Sequence, residues 1–196
     1  MKLFYVPGAC SLANHIALIE AGLAYELVPI DRQKRTTPDG RDFSTINPKG
    51  YVPTLELDDG TVLTENLAIL AFIADRAGSL LPKQGLPHFR VLEATAFMTS
   101  EIHGNFKPFF YPDASQEEKD RARKKLIKHF GTLAEQLGDR AFLVGDHLTI
   151  ADTYLFVMLR WAAHHGIEVP SLFEGYSARL KQLPSVARAL TEEGLA

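Results

Sequence analysis

A single cysteine in 196 residues leaves no partner for an internal disulfide and no ligand set for a cysteine-rich zinc or iron–sulfur site. Long apolar runs are missing too. The longest, Ile69 to Ala74 and Tyr154 to Leu159, fall far short of the roughly 18 residues that a membrane span needs. There is no excess of one charge. Lys and Arg number 21 against 24 Asp and Glu, a net charge of −3, so the chain lacks the broad basic footprint of a nucleic-acid binder. No internal repeat or low-complexity tract occurs. The start, Met-Lys-Leu-Phe-Tyr-Val-Pro-Gly, has one basic residue and an apolar stretch that Pro7 breaks, which does not read as a secretory signal. These absences predict a cytoplasmic protein with neither nucleic acid nor membrane as partner. What is present is an ordinary globular composition, 46% hydrophobic and 23% charged. The length holds one large domain or two small ones, at about 150 residues per domain.

The first part of the chain alternates strand-like and helix-like segments. Lys2 to Val6 is a run of β-formers closed by Pro7-Gly8, which predicts a strand. Leu12, Ile16 and Ile19 then recur at helical spacing, with Gly22 where a C-terminal cap belongs. Tyr25 to Ile30 reads as a second strand, placed at a sheet edge because Pro29 has no N–H to donate. Thr54 to Leu57 and Thr61 to Leu63 flank Asp58-Asp59-Gly60, a hairpin signal. Thr64 is predicted to cap a helix that Gly78 ends. The order β-α-β, hairpin, helix implies a mixed sheet: two parallel strands joined by a crossover, with an antiparallel hairpin beside them.

Residues 79–88, with Pro82, Gly85 and Pro87, read as a linker between an α/β domain over 1–78 and an all-α domain over 89–196. One helix is predicted from about Phe89 to Phe110, with Pro108 at its end or at a kink. Ser115 to Glu118 and Thr149 to Asp152 are capping boxes that open two more. The helix after Thr149 is apolar nearly all round, the mark of a central core helix, and Asp152 reads as its buried capping acid. Pro170-Ser171 and Leu183-Pro184-Ser185 start two short helices.

Three segments carry chemistry. Cys10 stands at the first turn of the first helix, where free N–H groups and the helix dipole favour thiolate over thiol. Ala13 holds the place of a resolving cysteine, so a thiolate here forms a mixed disulfide with a small thiol but has no internal means of releasing it. The competing reading is a small buried hydrophobe. Asn47 to Thr54 contains Val52-Pro53 just before a strand. That is a rigid turn, and a cis bond there would free the Val52 N–H and C=O to pair with a peptide-like ligand. Thr64-Glu65-Asn66 opens the next helix, where Asn66 and the first-turn N–H groups suit a carboxylate and Glu65 suits an ammonium. An α-amino acid has both, although plain helix capping accounts for the same residues.

Taken in order, Tyr5-Val-Pro-Gly-Ala-Cys-Ser-Leu-Ala-x-His15, Asn47-Pro-Lys-Gly-x-Val-Pro53 and Leu57-Asp-Asp-Gly-x-x-Leu-Thr-Glu65 closely resemble the glutathione transferases, above all the bacterial beta class. Glu101-Ile-His103, Thr149-Ile-Ala-Asp152 and Leu159-Arg-Trp161 extend the resemblance over essentially the whole chain. It implies a thioredoxin-like N-terminal domain, an all-α C-terminal domain, a homodimer, and glutathione as co-substrate with its thiol toward the cleft between domains. No metal is implied. By resemblance, Cys10 and His103 are the catalytic residues. Ala9, Cys10, Arg35, Val52, Pro53, Glu65, Asn66 and Glu101 bind glutathione, with Val52 on the cysteinyl part, Glu65 and Asn66 on the γ-glutamyl end and Arg35 on the glycyl carboxylate. Phe106, Tyr111 and Trp161 are placed on the side of a hydrophobic electrophile, with core packing as the competing reading for such aromatics. Three positions depart from the family's pattern. Asn66 stands for a serine or small residue, Tyr51 for glutamine, and Gly104 for a lysine, which removes one positive charge from the thiol pocket.

The activity implied is conjugation of the glutathione thiolate to small hydrophobic electrophiles. The alternatives are glutathione-dependent thiol–disulfide exchange through Cys10 and a non-catalytic carrier of hydrophobic ligands. The histidines His103, His164 and His165 lack the His-Glu-x-x-His spacing of a zinc site. The basic run Lys119 to Lys128 lies on a helix that turns Leu126, Phe130 and Leu133 inward, so it reads as a solvated face.

Overall fold

The computed structural model describes all 196 residues. They form two compact units, Met1–Leu81 with Leu183–Ala196, and Pro82–Gln182.

The first unit is built on a four-stranded sheet of β1 (Lys2–Tyr5), β2 (Glu26–Pro29), β3 (Thr54–Glu56) and β4 (Val62–Thr64), in the order β2-β1-β3-β4. β1 pairs parallel with β2 and antiparallel with β3, and β3 pairs antiparallel with β4. The helical crossover α1 (Ser11–Glu20) makes the first pair parallel, and the Asp-Asp-Gly turn makes the last antiparallel. Leu3, Phe4 and Tyr5 are all buried, as a central strand requires, whereas β2 is the partly exposed edge that Pro29 demands. Phe4 packs with Ile30 and Phe43, against Val6, Val28, Ile46 and Val52. That cluster seats the loop carrying Val52-Pro53 directly on the sheet. α1 is buried from Ser11 to Leu18 and packs on α2 (Asn66–Ala77), which ends at left-handed Gly78 (φ 66°).

The sequence places Thr64 as the cap of α2, but Thr64 completes β4. The residue before the helix is Glu65, in a left-handed conformation (φ 73°) and with no side-chain cap bond. The strand turns into the helix within one residue, and that reversal carries the Glu65 side chain away from the helix N–H groups it would otherwise cap.

In the second unit, α3 (Leu86–Phe97) begins inside the segment read as a linker, with Pro87 in its first turn, where a missing N–H costs nothing. The single helix predicted to Phe110 is interrupted. Met98–His103 is π-helical, and α4 (Gly104–Phe110) follows, with Pro108 inside it. Thr95 and Thr99 donate their hydroxyls to Val91 O and Thr95 O (2.7 and 2.9 Å), and Pro108 has no N–H to give. The backbone widens here, and such bulges gather at functional sites. α5 (Gln116–Leu137) and α6 (Ile150–His164) start at the two capping boxes. α6 is buried continuously from Ile150 to Leu159 and forms the centre of the unit. Asp152, fully buried, accepts from Leu143 N–H, Thr149 N–H, Thr149 O–H and Tyr176 O–H at 2.7–2.8 Å. Tyr176 belongs to α7 (Leu172–Lys181), so one carboxylate ties a loop, a cap and a helix together.

The last helix, α8 (Pro184–Glu192), falls in the first unit and packs on α1, not in the helical domain to which sequence position assigns it. No helix is long and apolar enough to cross a membrane.

Candidate active site

Cys10 precedes α1, and the helix start supplies N–H groups from Cys10 and Ser11, which pull its pKa down as the sequence suggests. Burial outweighs them. The side chain is 7% exposed, and desolvation pushes the thiol up to about 12, with the Glu65 charge adding to the rise. The expectation of a thiolate is therefore corrected: Cys10 is a thiol, and its S–H donates to Val52 O (3.4 Å). The Val52–Pro53 bond is cis. Ala9 accepts from Leu12 N–H and donates to Val6 O (both 3.0 Å), which fixes the turn that delivers Cys10.

Glu65 projects its carboxylate toward the loop before Pro53. Lys49 Nζ (2.5 Å) and Tyr51 O–H (2.8 Å) both donate to its Oε1, and these bonds hold its carboxyl below the usual range. Asn66, the first residue of α2, is 7% exposed, and both its side-chain Oδ1 and Nδ2 are buried without a hydrogen-bond partner. Asn14 on α1 donates to Asn66 O (3.4 Å) and so pins the helix start. Arg35, in left-handed conformation (φ 57°), donates from Nη2 to Gly50 O (2.9 Å). Gly50 suits this turn by its backbone, and a side chain there would also displace the flexible Arg35 tip. The glycine's φ is +72°, and a Cβ would sit 2.2 Å from Arg35 Nη2.

The first unit thus brings together Cys10, Val52 and Pro53, and beside them Glu65 with Asn66. The second unit carries the other sequence-predicted residues. His103 closes the π-helical segment, with Nδ1 2.6 Å from Tyr154 Oη and its ring edge-on to Trp161 at 5.0 Å. Burial lowers its pKa to about 4, so the imidazole is neutral at physiological pH. Glu101 faces a different helix, with Oε2 3.7 Å from His129 Nε2 on α5. Tyr111 is exposed, with Lys107 Nζ 5.7 Å from its ring. Phe106 is a correction. It is fully buried and in ring contact with Phe109, Phe110, Phe130 and Trp161, so it belongs to the core and not to a ligand wall. His164 and His165 meet edge to face, with ring centroids 4.7 Å apart, and no group of three His, Cys, Asp or Glu side chains is arranged to hold a metal.

Two features escape the sequence. One is the Lys49–Tyr51 clamp on Glu65. The other is a buried network behind the Cys10 loop. Glu193, its side chain fully buried, accepts from Gly8 N–H (2.9 Å) and lies 3.0 Å from His15 Nδ1, while Glu192 lies 2.8 Å from His15 Nε2. The only local hint is polar Asn14 and His15 inside a wholly buried stretch of helix, where each needs a partner.

A sheet of this topology with a cis-proline loop facing a helix-start cysteine defines a thioredoxin-like domain, here followed in sequence by a helical unit. Residues 8–76 match the family described as Glutathione S-transferase, N-terminal domain, and residues 116–188 match Glutathione S-transferase, C-terminal domain. Glutathione S-transferase GstA of Escherichia coli O157:H7 is 40% identical over 200 residues, covering 100% of both chains. Among solved structures, a sphingomonad glutathione S-transferase complexed with glutathione is 45% identical with a TM-score of 0.93, covering 100% of each chain. The bacterial beta class glutathione S-transferase of Sphingomonas chungbukensis is 44% identical with a TM-score of 0.92, again covering 100% of each. The chain belongs to the glutathione S-transferase family.

Proposed function

We propose that this protein conjugates glutathione to small hydrophobic electrophiles, with the glutathione sulfur as nucleophile. The observation that carries the reading is the state of Cys10. It is a buried thiol, raised to about 12, whose S–H donates to Val52 O (3.4 Å). Rotated from Val52 O, its single proton is available to a neighbouring sulfur, and as a thiol the group does not itself attack. Disulfide exchange needs the enzyme's own thiolate, so the same observation weighs against it.

The pose follows the free valences of the site. Val52, next to the cis peptide, pairs strand-fashion with the cysteinyl part, and Ala9 and Pro53 shape the wall around it. The γ-glutamyl carboxylate takes the N–H groups at the start of α2 and the unpartnered amide of Asn66, while its ammonium takes Glu65. Arg35 spends one nitrogen on Gly50 O and offers the rest of its fork to the glycyl carboxylate. For Glu101, His103, Tyr111 and Trp161 the support is the family resemblance alone; within their own unit Trp161 is buried and His103 is neutral.

A free thiol titrates near about 8.5, so most glutathione is protonated at neutral pH. Donors aimed at the sulfur, the Cys10 S–H among them, stabilise the thiolate and release its proton to water. The thiolate then forms a C–S bond to the electrophilic carbon, and the leaving group departs with the electron pair of the bond that breaks. We further propose a cytoplasmic homodimer.

Assays with chlorodinitrobenzene and with a glutathione mixed disulfide, on wild type and Cys10→Ala, test the reading. Conjugation that persists at reduced rate in the variant, with exchange slow in both, is the expected pattern. Rapid exchange by wild type, with both activities lost in the variant, would transfer the chemistry to Cys10 itself.

A further inference from the structure

The loop Asn47–Tyr51 is held from beneath by one buried amide. Asn47, 0% exposed, accepts Lys49 N–H at Oδ1 (3.0 Å) and donates from Nδ2 to Tyr51 O (2.8 Å) and Thr54 Oγ1 (2.9 Å). Lys49 and Tyr51 therefore leave a fixed turn, and both end on the same atom, Glu65 Oε1. Lys49 Nζ also donates to Thr64 Oγ1 (3.0 Å). The left-handed backbone at Glu65 delivers the carboxylate to this loop from the start of α2.

The Lys49 ammonium is the same chemical group that the γ-glutamyl residue of glutathione presents. We infer that Lys49 is an internal competitor for the ammonium subsite on Glu65 and that Tyr51 is the positioning residue that aims the carboxylate. The inference rests on the glutathione reading above. Charge arithmetic supports exchange over addition. Lys49 and Glu65 cancel, and a second cation on the same carboxylate places two like charges in one hydrogen-bonding shell. Of the two residents, Lys49 is the one that leaves. Lys49 and Tyr51 are equally exposed, so the side-chain chemistry decides: Lys49 is a cation on a flexible stem, whereas the tyrosine is neutral and has one hydroxyl on a rigid ring. A half-exposed ion pair is weak, so displacing it costs about a two- to fivefold factor in affinity.

The test is a binding titration of S-methylglutathione and of its des-amino counterpart, with glutaryl in place of γ-glutamyl. It is run on wild type, Lys49→Met, Lys49→Gln and Tyr51→Phe, with steady-state kinetics alongside. Wild type is expected to prefer the amino ligand. Both Lys49 variants should bind that ligand about two- to fivefold more tightly and leave the des-amino ligand unchanged, with KM for glutathione lowered and kcat unaltered. Tyr51→Phe should weaken only the amino ligand. If the Lys49 variants weaken both ligands, Lys49 holds the ligand's carboxylate and the inference falls. If they alter neither, the pair is irrelevant to recognition and the inference falls equally. A wild type that binds both ligands equally would leave Glu65 without an ammonium to hold and end the inference, whereas a wild type that binds neither would remove the glutathione reading itself.

Discussion

The protonation state of Cys10 admits a clean experiment, because it is the only cysteine in the chain. The thiol moves from 9.0 to about 12, chiefly through desolvation. Three units separate those values, so at any pH below 9 the native protein holds about a thousandth of the thiolate of an unfolded chain. Alkylation by iodoacetamide, which needs the thiolate, should be slower by at least that factor in the folded protein than in the same protein in denaturant. Mass spectrometry after timed quenching reads the single adduct directly. Within the folded protein the logarithm of the rate should climb one unit per pH unit through about pH 9 with no plateau. The thermodynamic sign follows from the same shift. Above pH 9 the unfolded chain loses its proton while the folded one keeps it. The Cys10 contribution to stability therefore falls by about 1.4 kcal/mol per pH unit as pH rises toward 12. A thiolate absorbance plateau below pH 9, or alkylation near neutral pH at the rate of a free thiol, would refute the argument and reopen the alternative of disulfide exchange.

Replacing Asp152 with Asn keeps the volume but turns an amide donor toward groups that are themselves donors. The expected loss is about 3 kcal/mol in urea unfolding, and a loss under 1 kcal/mol would mean the four bonds are not sharing one carboxylate. Glu193→Ala removes the acceptor from Gly8 N–H and from one nitrogen of the fully buried His15 ring and is expected to cost about 2–4 kcal/mol. It should also loosen the Cys10 loop, seen as faster amide exchange at Gly8, and unchanged exchange there would separate the C-terminus from the site. His103 is lowered from 6.5 to about 4 by burial, so between those values the unfolded chain takes a proton that the folded one refuses, and stability falls as pH drops through that window. The conjugation rate should accordingly show no inflection between about pH 5 and 8 from this group, and a break near 6.5 that vanishes in His103→Gln would contradict the burial argument.

Much of this protein is written in short stretches of its sequence. The strand before Pro7-Gly8, the crossover to β2, the hairpin at Asp58-Asp59-Gly60 and the capping boxes at Ser115 and Thr149 all act within a turn or two of chain. Local sterics and hydrogen bonding decide them without reference to distant residues. The candidate site is legible for the same reason, since Cys10, Val52-Pro53 and Glu65-Asn66 each sit at the end of a strand or the start of a helix. What each residue does there is set across the fold. Cys10 is a thiol because its surroundings exclude water, which outweighs the helix start that favours ionisation. Glu65 faces Lys49 and Tyr51 instead of capping its own helix. Phe106 is core because Phe130 and Trp161 close around it. α8 leaves the helical unit because its end brings Glu192 and Glu193 as acceptors to His15 and to the Gly8 N–H, the latter 185 residues from Glu193 in sequence. Burial and partner identity are properties of the packed chain: the energy of a charge or a donor depends on what replaces its water, and only the tertiary structure decides that.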